Sequence, residues 1–239
     1  MKKIVLLTLV LAWSMVSFAQ ENGVPAKKQK DNGEALPRVE VVRDRLNFDI
    51  FHSFWMGTPS QGDFKKFNPG FNVSAMWDFK LPQTPSISFG LGVGFSFYTQ
   101  YSNCIMQYDR AKDLNLYYII PENIEYKHSR LSYMNCHIPF EIRYRHTNGF
   151  KFSVGIHVGL VAGLAHQYKG PNFNGIEDEY LNYKNRDFYN KQKFSADVYM
   201  RMGWKAFGVF YSYQLNKVFD AGKGPKINPM SVGISISLF

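Results

Sequence analysis

Cysteine is scarce in this chain: 239 residues contain two, Cys104 and Cys136. So few exclude a fold stapled by disulfides, and no Cys-x-x-Cys pair is present to hold a metal or a redox couple. One bond between them stays open in an oxidising compartment; two unpaired small hydrophobes are the simpler reading. Long apolar runs are missing too. Beyond residue 19 no stretch approaches the roughly 18 apolar residues of a membrane helix, which excludes a helical bundle in the inner membrane. The net charge is +9, yet Lys and Arg are scattered without forming a groove or a helical stripe, so nucleic acid is not an expected partner.

The N-terminus has its own composition. Lys2 and Lys3 precede an apolar run from Ile4 to Val16, and Ser17-Phe18-Ala19 follows before Gln20. This order is that of a secretory signal peptide, residues 1–19, with cleavage expected after Ala19. Removing the two lysines takes +9 to about +7 and leaves a mature chain of about 220 residues. Residues 20–45 are rich in Lys, Asp, Glu and Pro without apolar periodicity, and read as a flexible periplasmic leader.

From residue 46 to 239 the pattern is period-two alternation in eight segments separated by turn-forming stretches. In the third, Ile87, Phe89, Leu91, Val93, Phe95 and Phe97 alternate with Ser88, Gly90, Gly92, Gly94 and Ser96. A face of Gly and Ser suits the crowded lumen of a narrow barrel, which puts the apolar face against lipid. The same parity runs through Phe71 to Phe79, Met134 to Tyr144, Phe152 to Leu164, Phe194 to Trp204, Phe207 to Leu215 and Met230 to Leu238. Phe51 and Trp55 break it in the first segment, Leu46 to Met56. Short connections at 81–85, 147–149 and 205–206 alternate with longer ones at 58–68, 101–127, 167–193 and 216–229. That is the asymmetry of an outer-membrane barrel with both termini in the periplasm. The expected fold is therefore all-β, an eight-stranded antiparallel up-and-down transmembrane β-barrel.

The Gly-rich third strand, the stretch Leu131-Ser132-Tyr133-Met134-Asn135-Cys136-His137-Ile138-Pro139-Phe140-Glu141-Ile142-Arg143-Tyr144, the following segment Gly155 to Gly163 and the terminal Phe239 carry a resemblance. With the signal peptide, they make the chain similar to the PorT-like outer-membrane β-barrel proteins of Bacteroidetes, over nearly the whole mature length. The apolar residues of the last strand, Leu238, Ile236 and Ile234, are out of phase with the terminal aromatic, a departure from the commoner signal. The resemblance implies a place in the cell envelope and, by analogy with the founding member, in protein secretion or surface assembly.

Three sets of residues stand out. Asp78, Glu141, Arg143, Arg145, Asp197 and Arg201 take the lumen parity, with Asn72, Tyr133, Asn135, His137 and Tyr199 near them. Opposite charges in a narrow lumen are expected to pair as a structural plug, because a lone buried charge is costly; a gated ion path is the alternative. Trp77, Tyr144 and Trp204, with Phe79, Phe152 and Phe207, lie near the short turns and read as the periplasmic aromatic girdle. Tyr108, Tyr117, Tyr118, Tyr180, Tyr183 and Tyr189 sit in the two longest outer loops, the second beside the acidic run Glu177-Asp178-Glu179, and make the best partner-binding surface.

No catalytic, cofactor or metal site is legible. The six histidines, at 52, 128, 137, 146, 157 and 166, form no His-Glu-x-x-His. His128-Ser129 could attack a lipid ester, but neighbours on a strand face opposite ways. The expectation is thus a non-enzymatic outer-membrane protein, surrounded by lipid, with loops that bind an envelope protein or glycolipid. A narrow porin-like channel, or a lipid-modifying enzyme, are the alternatives.

Overall fold

The computed structural model describes residues 45–58, 62–64, 67–81, 84–172, 180–186 and 188–238. The signal segment, the leader through residue 44, the acidic run Glu177 to Glu179 and Phe239 lie outside these. The strands are β1 (Leu46–Met56), β2 (Pro69–Leu81), β3 (Thr84–Tyr101), β4 (Cys104–Asp109), β5 (Leu114–Ile119), β6 (His128–Arg145), β7 (Phe150–Pro171), β8 (Tyr180–Asn185), β9 (Phe194–Trp204), β10 (Phe207–Gln214) and β11 (Asn228–Leu238).

Eight of them close a ring in the order β1, β2, β3, β6, β7, β9, β10, β11, each antiparallel to its neighbours. β11 returns to β1 from Leu46↔Leu238 to Met56↔Asn228, so no strand of the ring has a free edge. This is an all-β, eight-stranded antiparallel up-and-down barrel. Two of its short turns reverse through left-handed residues, Gly149 at φ 96° between β6 and β7 and Lys205 at φ 52° between β9 and β10.

The remaining three strands correct the expectation of plain outer loops. β4 and β5 pair as a hairpin within the β3–β6 connection, and β8 pairs with the far end of β7 from His166↔Asn185 to Pro171↔Tyr180. The physical reason is burial: Cys104, Ile105 and Met106 of the hairpin are buried. β6 and β7 also run 18 and 22 residues, beyond the roughly 9 to 11 that cross a bilayer, and so offer β8 a wall to extend.

Alternation sorts the two faces. Outward lie Ile50, Trp77, Leu91, Val93, Ile138, Phe140, Val154, Val158, Met202, Val209 and Ile234, a continuous apolar exterior. Inward lie Asn47, Asp49, Ser53, Asn72, Ser96, Glu141, Ser153, Asp197, Ser231 and Ser235. The interior is polar and the exterior apolar, the inverse of a water-soluble barrel.

Two departures have local causes. Phe51 and Trp55 point inward; the Phe51 ring stands where a Cβ on Gly70 would be, and a Cβ on Gly233 would meet the Ile50 carbonyl and the Cα and Cβ of Phe51, so glycines on both neighbouring strands let β1 carry it there. Leu164, expected on the outward parity with Phe152 to Leu160, is instead buried. The β6–β7 register shifts between Met134 and Asn135, which pair with Gly163 and Val161, so Ala162 is one residue extra and inverts the facing of everything beyond it. Leu164, His166 and Tyr168 are thereby turned in.

Pro139 sits mid-strand in β6, and the β3–β6 pairing skips Gly92 and Val93 opposite it, as a residue with no N–H requires. Glycines leave room elsewhere too: a Cβ at Gly94 would lie 2.4 Å from His137 Nε2 and one at Gly155 2.6 Å from Glu141 Cβ.

Candidate functional site

The lumen holds one connected ionic network at the short-turn end. Arg201 on β9 donates to Asp49 on β1 at 2.7 and 3.0 Å and to Glu141 on β6 at 2.9 Å. Arg143 donates to the same Glu141 and to Asp78 on β2 at 2.6 Å, and Arg145 donates to Asp78 at 2.9 Å and to Ser88 at 3.0 Å. Tyr199 OH adds a 2.7 Å bond to Glu141, and Asn72 one of 2.6 Å to Asp49. The Arg201 guanidinium also lies over the Tyr199 and Phe210 rings, at 4.7 and 5.2 Å. A pocket near this end reaches Glu141, Arg143, Arg145 and Arg201. Three guanidiniums thus face three carboxylates, which offsets the cost of holding each charge out of water.

The structure brings Asp78, Glu141, Arg143, Arg145 and Arg201 together but corrects two points of the sequence reading. Asp197 is buried in the lumen, yet it makes no ion pair among the described residues. Asp49 takes the place expected for it. The displaced aromatics of β1 hid Asp49, although its own alternation with Asn47 and Ser53 carried the signal.

Toward the long-loop end the lumen is filled by apolar side chains. Phe51, Trp55, Tyr98, Leu131, Tyr133, Leu164 and Phe210 from the barrel wall meet Met106, Phe188, Val218, Phe219 and Ile227 from the loops. Phe51 packs against Tyr98 at 5.3 Å and Phe210 at 5.7 Å between ring centroids. The lumen is therefore closed at two levels by different chemistry.

The long loops are fastened to one another. Asp113, in the β4–β5 turn, accepts from Tyr108 OH at 2.5 Å, from Asn190 Nδ2 at 2.7 Å and from Lys223 Nζ at 2.5 Å. Asn115 Nδ2 donates to the carbonyls of Tyr189 at 2.8 Å and Lys223 at 3.1 Å. The hydrogen bonds from Lys223, Tyr108 and Asn190 hold the Asp113 carboxyl well below the usual carboxylate range.

Of the six loop tyrosines, Tyr118, Tyr180, Tyr183 and Tyr189 are exposed. Tyr108 is half-buried against Tyr189 at 4.8 Å. Tyr117 corrects the expectation: it packs against the apolar plug and donates to Gln100 Oε1 at 3.0 Å, because β-alternation turns it away from Tyr118. Trp77, Tyr144 and Trp204 all point outward near the short turns, with Phe79, Phe152 and Phe207.

His128 and Ser129 do face opposite ways, but Ser129 finds another histidine. Its Oγ lies 3.0 Å from His166 Nε2 across the β6–β7 pair, a contact the bulge at Ala162 creates by turning His166 in. The Ser129 hydroxyl donates to the Cys104 carbonyl, so its proton is already engaged and His166 is the donor to Ser129 Oγ. Ser129 is buried, which makes the pair an anchor for the hairpin. Both cysteines are free; Cys104 is buried at the base of the hairpin, where burial pushes its thiol up to about 11, and Cys136 faces outward. No group of three or more His, Cys, Asp or Glu among the described residues is placed to hold a metal ion.

No family model and no curated protein sequence matches the chain. Among solved structures it is similar to Ail, the attachment invasion locus protein of Yersinia pestis, at 11% identity over 81% of this chain and 96% of that one, with a TM-score of 0.39. The same protein in complex with the heparin analogue sucrose octasulfate gives a TM-score of 0.37, at 11% identity over 81% and 96% of the two chains.

Proposed function

We propose that this chain is a non-enzymatic outer-membrane protein: a lipid-embedded barrel whose sealed lumen is a scaffold and whose fastened outer loops present aromatic side chains to a protein or glycolipid partner. The observation that carries the reading is the inversion of the barrel. Its outward side chains are apolar from Phe71 and Trp77 round to Val209 and Ile234, while Asp49, Asp78, Glu141, Arg143, Arg145 and Arg201 face inward and pair. Water would penalise such a surface, whereas hydrocarbon favours it, and a ring without edges leaves no strand of the barrel unpaired in lipid.

Two levels of closure argue for a scaffold over a channel, and the engaged Ser129 proton argues against the lipid-enzyme alternative. Tyr118, Tyr180, Tyr183 and Tyr189 supply exposed aromatic area, the kind of surface that anchors binding interfaces. A role in secretion or surface assembly, implied by the PorT-like resemblance, belongs to this proposal.

The test is affinity isolation of tagged protein from gently solubilised outer membranes, with wild type beside a variant carrying serine at all four tyrosines. A stoichiometric partner present with wild type and lost with the variant, both still migrating as folded barrels, is the expected result. Fractionation away from the outer membrane, or a partner held equally by both proteins, would overturn it.

A further inference from the structure

Where β6, β7, β9 and β10 line the lumen, beside the contact of the ionic network with the apolar plug, lies a belt of buried polar groups that neither layer uses. Along β9 the inward residues run Ser195, Asp197, Tyr199, Arg201 from the long-loop end to the short-turn end. Tyr199 and Arg201 belong to the network; Asp197 does not. Its cross-strand neighbours are Gln214 on β10 and His157 on β7. His157 stacks on Tyr199 at 3.9 Å and against His137 at 4.1 Å. The Tyr133 hydroxyl faces both Gln214 and Asn135, and Asp197 is close enough to act on Tyr133 and Tyr98 electrostatically.

These groups share one property. Asn135 Oδ1 and Nδ2, Gln214 Oε1, Ser195 Oγ, Tyr133 OH and His157 Nε2 are all buried without a hydrogen-bond partner, on residues 0–2% exposed. A buried polar atom left unpaired costs free energy, and this many in one belt call for an occupant. Internal water can satisfy hydrogen bonds, but it cannot balance charge. Among the described residues Arg143, Arg145 and Arg201 pair with Asp49, Asp78 and Glu141, whereas Asp197 is a buried acid with no ion pair beside it.

We propose that this belt binds a partly dehydrated monovalent cation, of the class of Na⁺ or K⁺, with the Asp197 carboxylate supplying the charge and Asn135, Gln214 and Ser195 supplying neutral oxygens. Amide and hydroxyl oxygens are the ligands hard cations take. One carboxylate among neutral oxygens matches a single positive charge, whereas divalent sites ordinarily gather more acids than the belt offers. Tyr133 and the apolar layer above it separate the ion from the outer loops, so its role is to lock the middle of the barrel.

The experiment is thermal unfolding of the whole protein in detergent, in sodium, potassium or rubidium chloride against choline chloride at equal ionic strength. An alkali ion should raise the midpoint by a few degrees over choline in a saturable way, and Asp197→Asn should melt alike in all salts. Identical melting of wild type in every salt, or an ion dependence kept in Asp197→Asn, would overturn the proposal. Should Asp197→Asn fail to insert, crystals of wild type grown with rubidium decide the matter. An anomalous peak between Asp197 and Gln214 supports the site, and the absence of one there refutes it.

Discussion

Arg201 and Asp49 lie 152 residues apart in the chain and meet in the lumen through two hydrogen bonds of 2.7 and 3.0 Å. β10 and β11 intervene between their strands in the ring, so the contact spans the barrel's interior and ties its first strand to the far wall. Arg201 also holds Glu141, and so links Asp49 to the rest of the ionic network.

Replacing that side chain should therefore cost more than one salt bridge. Arg201→Met leaves Asp49 without its guanidinium and removes one of the two that face Glu141, and is expected to lower stability by about 3–5 kcal/mol, the scale of an uncompensated buried charge. Asp49→Asn should recover part of the loss in the double variant, because the pair is coupled. Urea unfolding in lipid vesicles measures all three. A change under about 0.5 kcal/mol in Arg201→Met would remove the network from the list of stabilising features.

The bulge at Ala162 makes a directional prediction. Cysteine at Leu160 should react with a lipid-phase fluorophore and cysteine at Leu164 should not, in a Cys136→Ala background, although the two share a parity in sequence. Equal labelling would mean that β7 runs without the extra residue.

Lower pH should release the loop fastening. Asp113 has its carboxyl depressed in the folded protein, so its contribution is fully present above the unfolded value of about 3.9 and is lost as pH falls through the lower folded value. Protease cleavage of the outer loops should then stay slow from pH 7 down to about 4 and rise below it. Asp113→Ala should be cleaved faster even at pH 7. A wild-type profile that begins to rise near pH 6 would assign the fastening to another group.

Planar bilayers should register no conductance steps from the wild-type barrel, because an ionic network and an apolar plug both close the lumen. Phe51→Ala combined with Arg201→Ala opens the wall contacts at both levels and is the variant in which flickering steps are expected. Steady conductance from wild type would restore the channel reading.

Much of the barrel was legible in the chain, for a physical reason: β-pairing with a polar lumen forces alternation with period two, and alternation is local. β3 shows it best, since its inward glycines are small for a reason that applies at every turn of the wall. Failures in legibility came where a side chain answers to a distant neighbour. Phe51 points inward where Gly70 leaves room for its ring on one neighbouring strand and Gly233 admits its backbone on the other. Tyr117 is half-buried because its hairpin folds onto the barrel mouth, and nothing in the hairpin's own residues separates that from an exposed loop.

By itself, then, the sequence determined the class of structure: short periodic segments, their number, the alternation of short and long connections, and the face that carries charge. Only the tertiary structure decided which charges meet. Asp49 pairs with Arg201 and Asp197 with no cation among the described residues, a choice set by the height of each residue in the closed ring. Height depends on register, and register depends on bulges such as that at Ala162, where a single inserted residue changes what every later side chain faces.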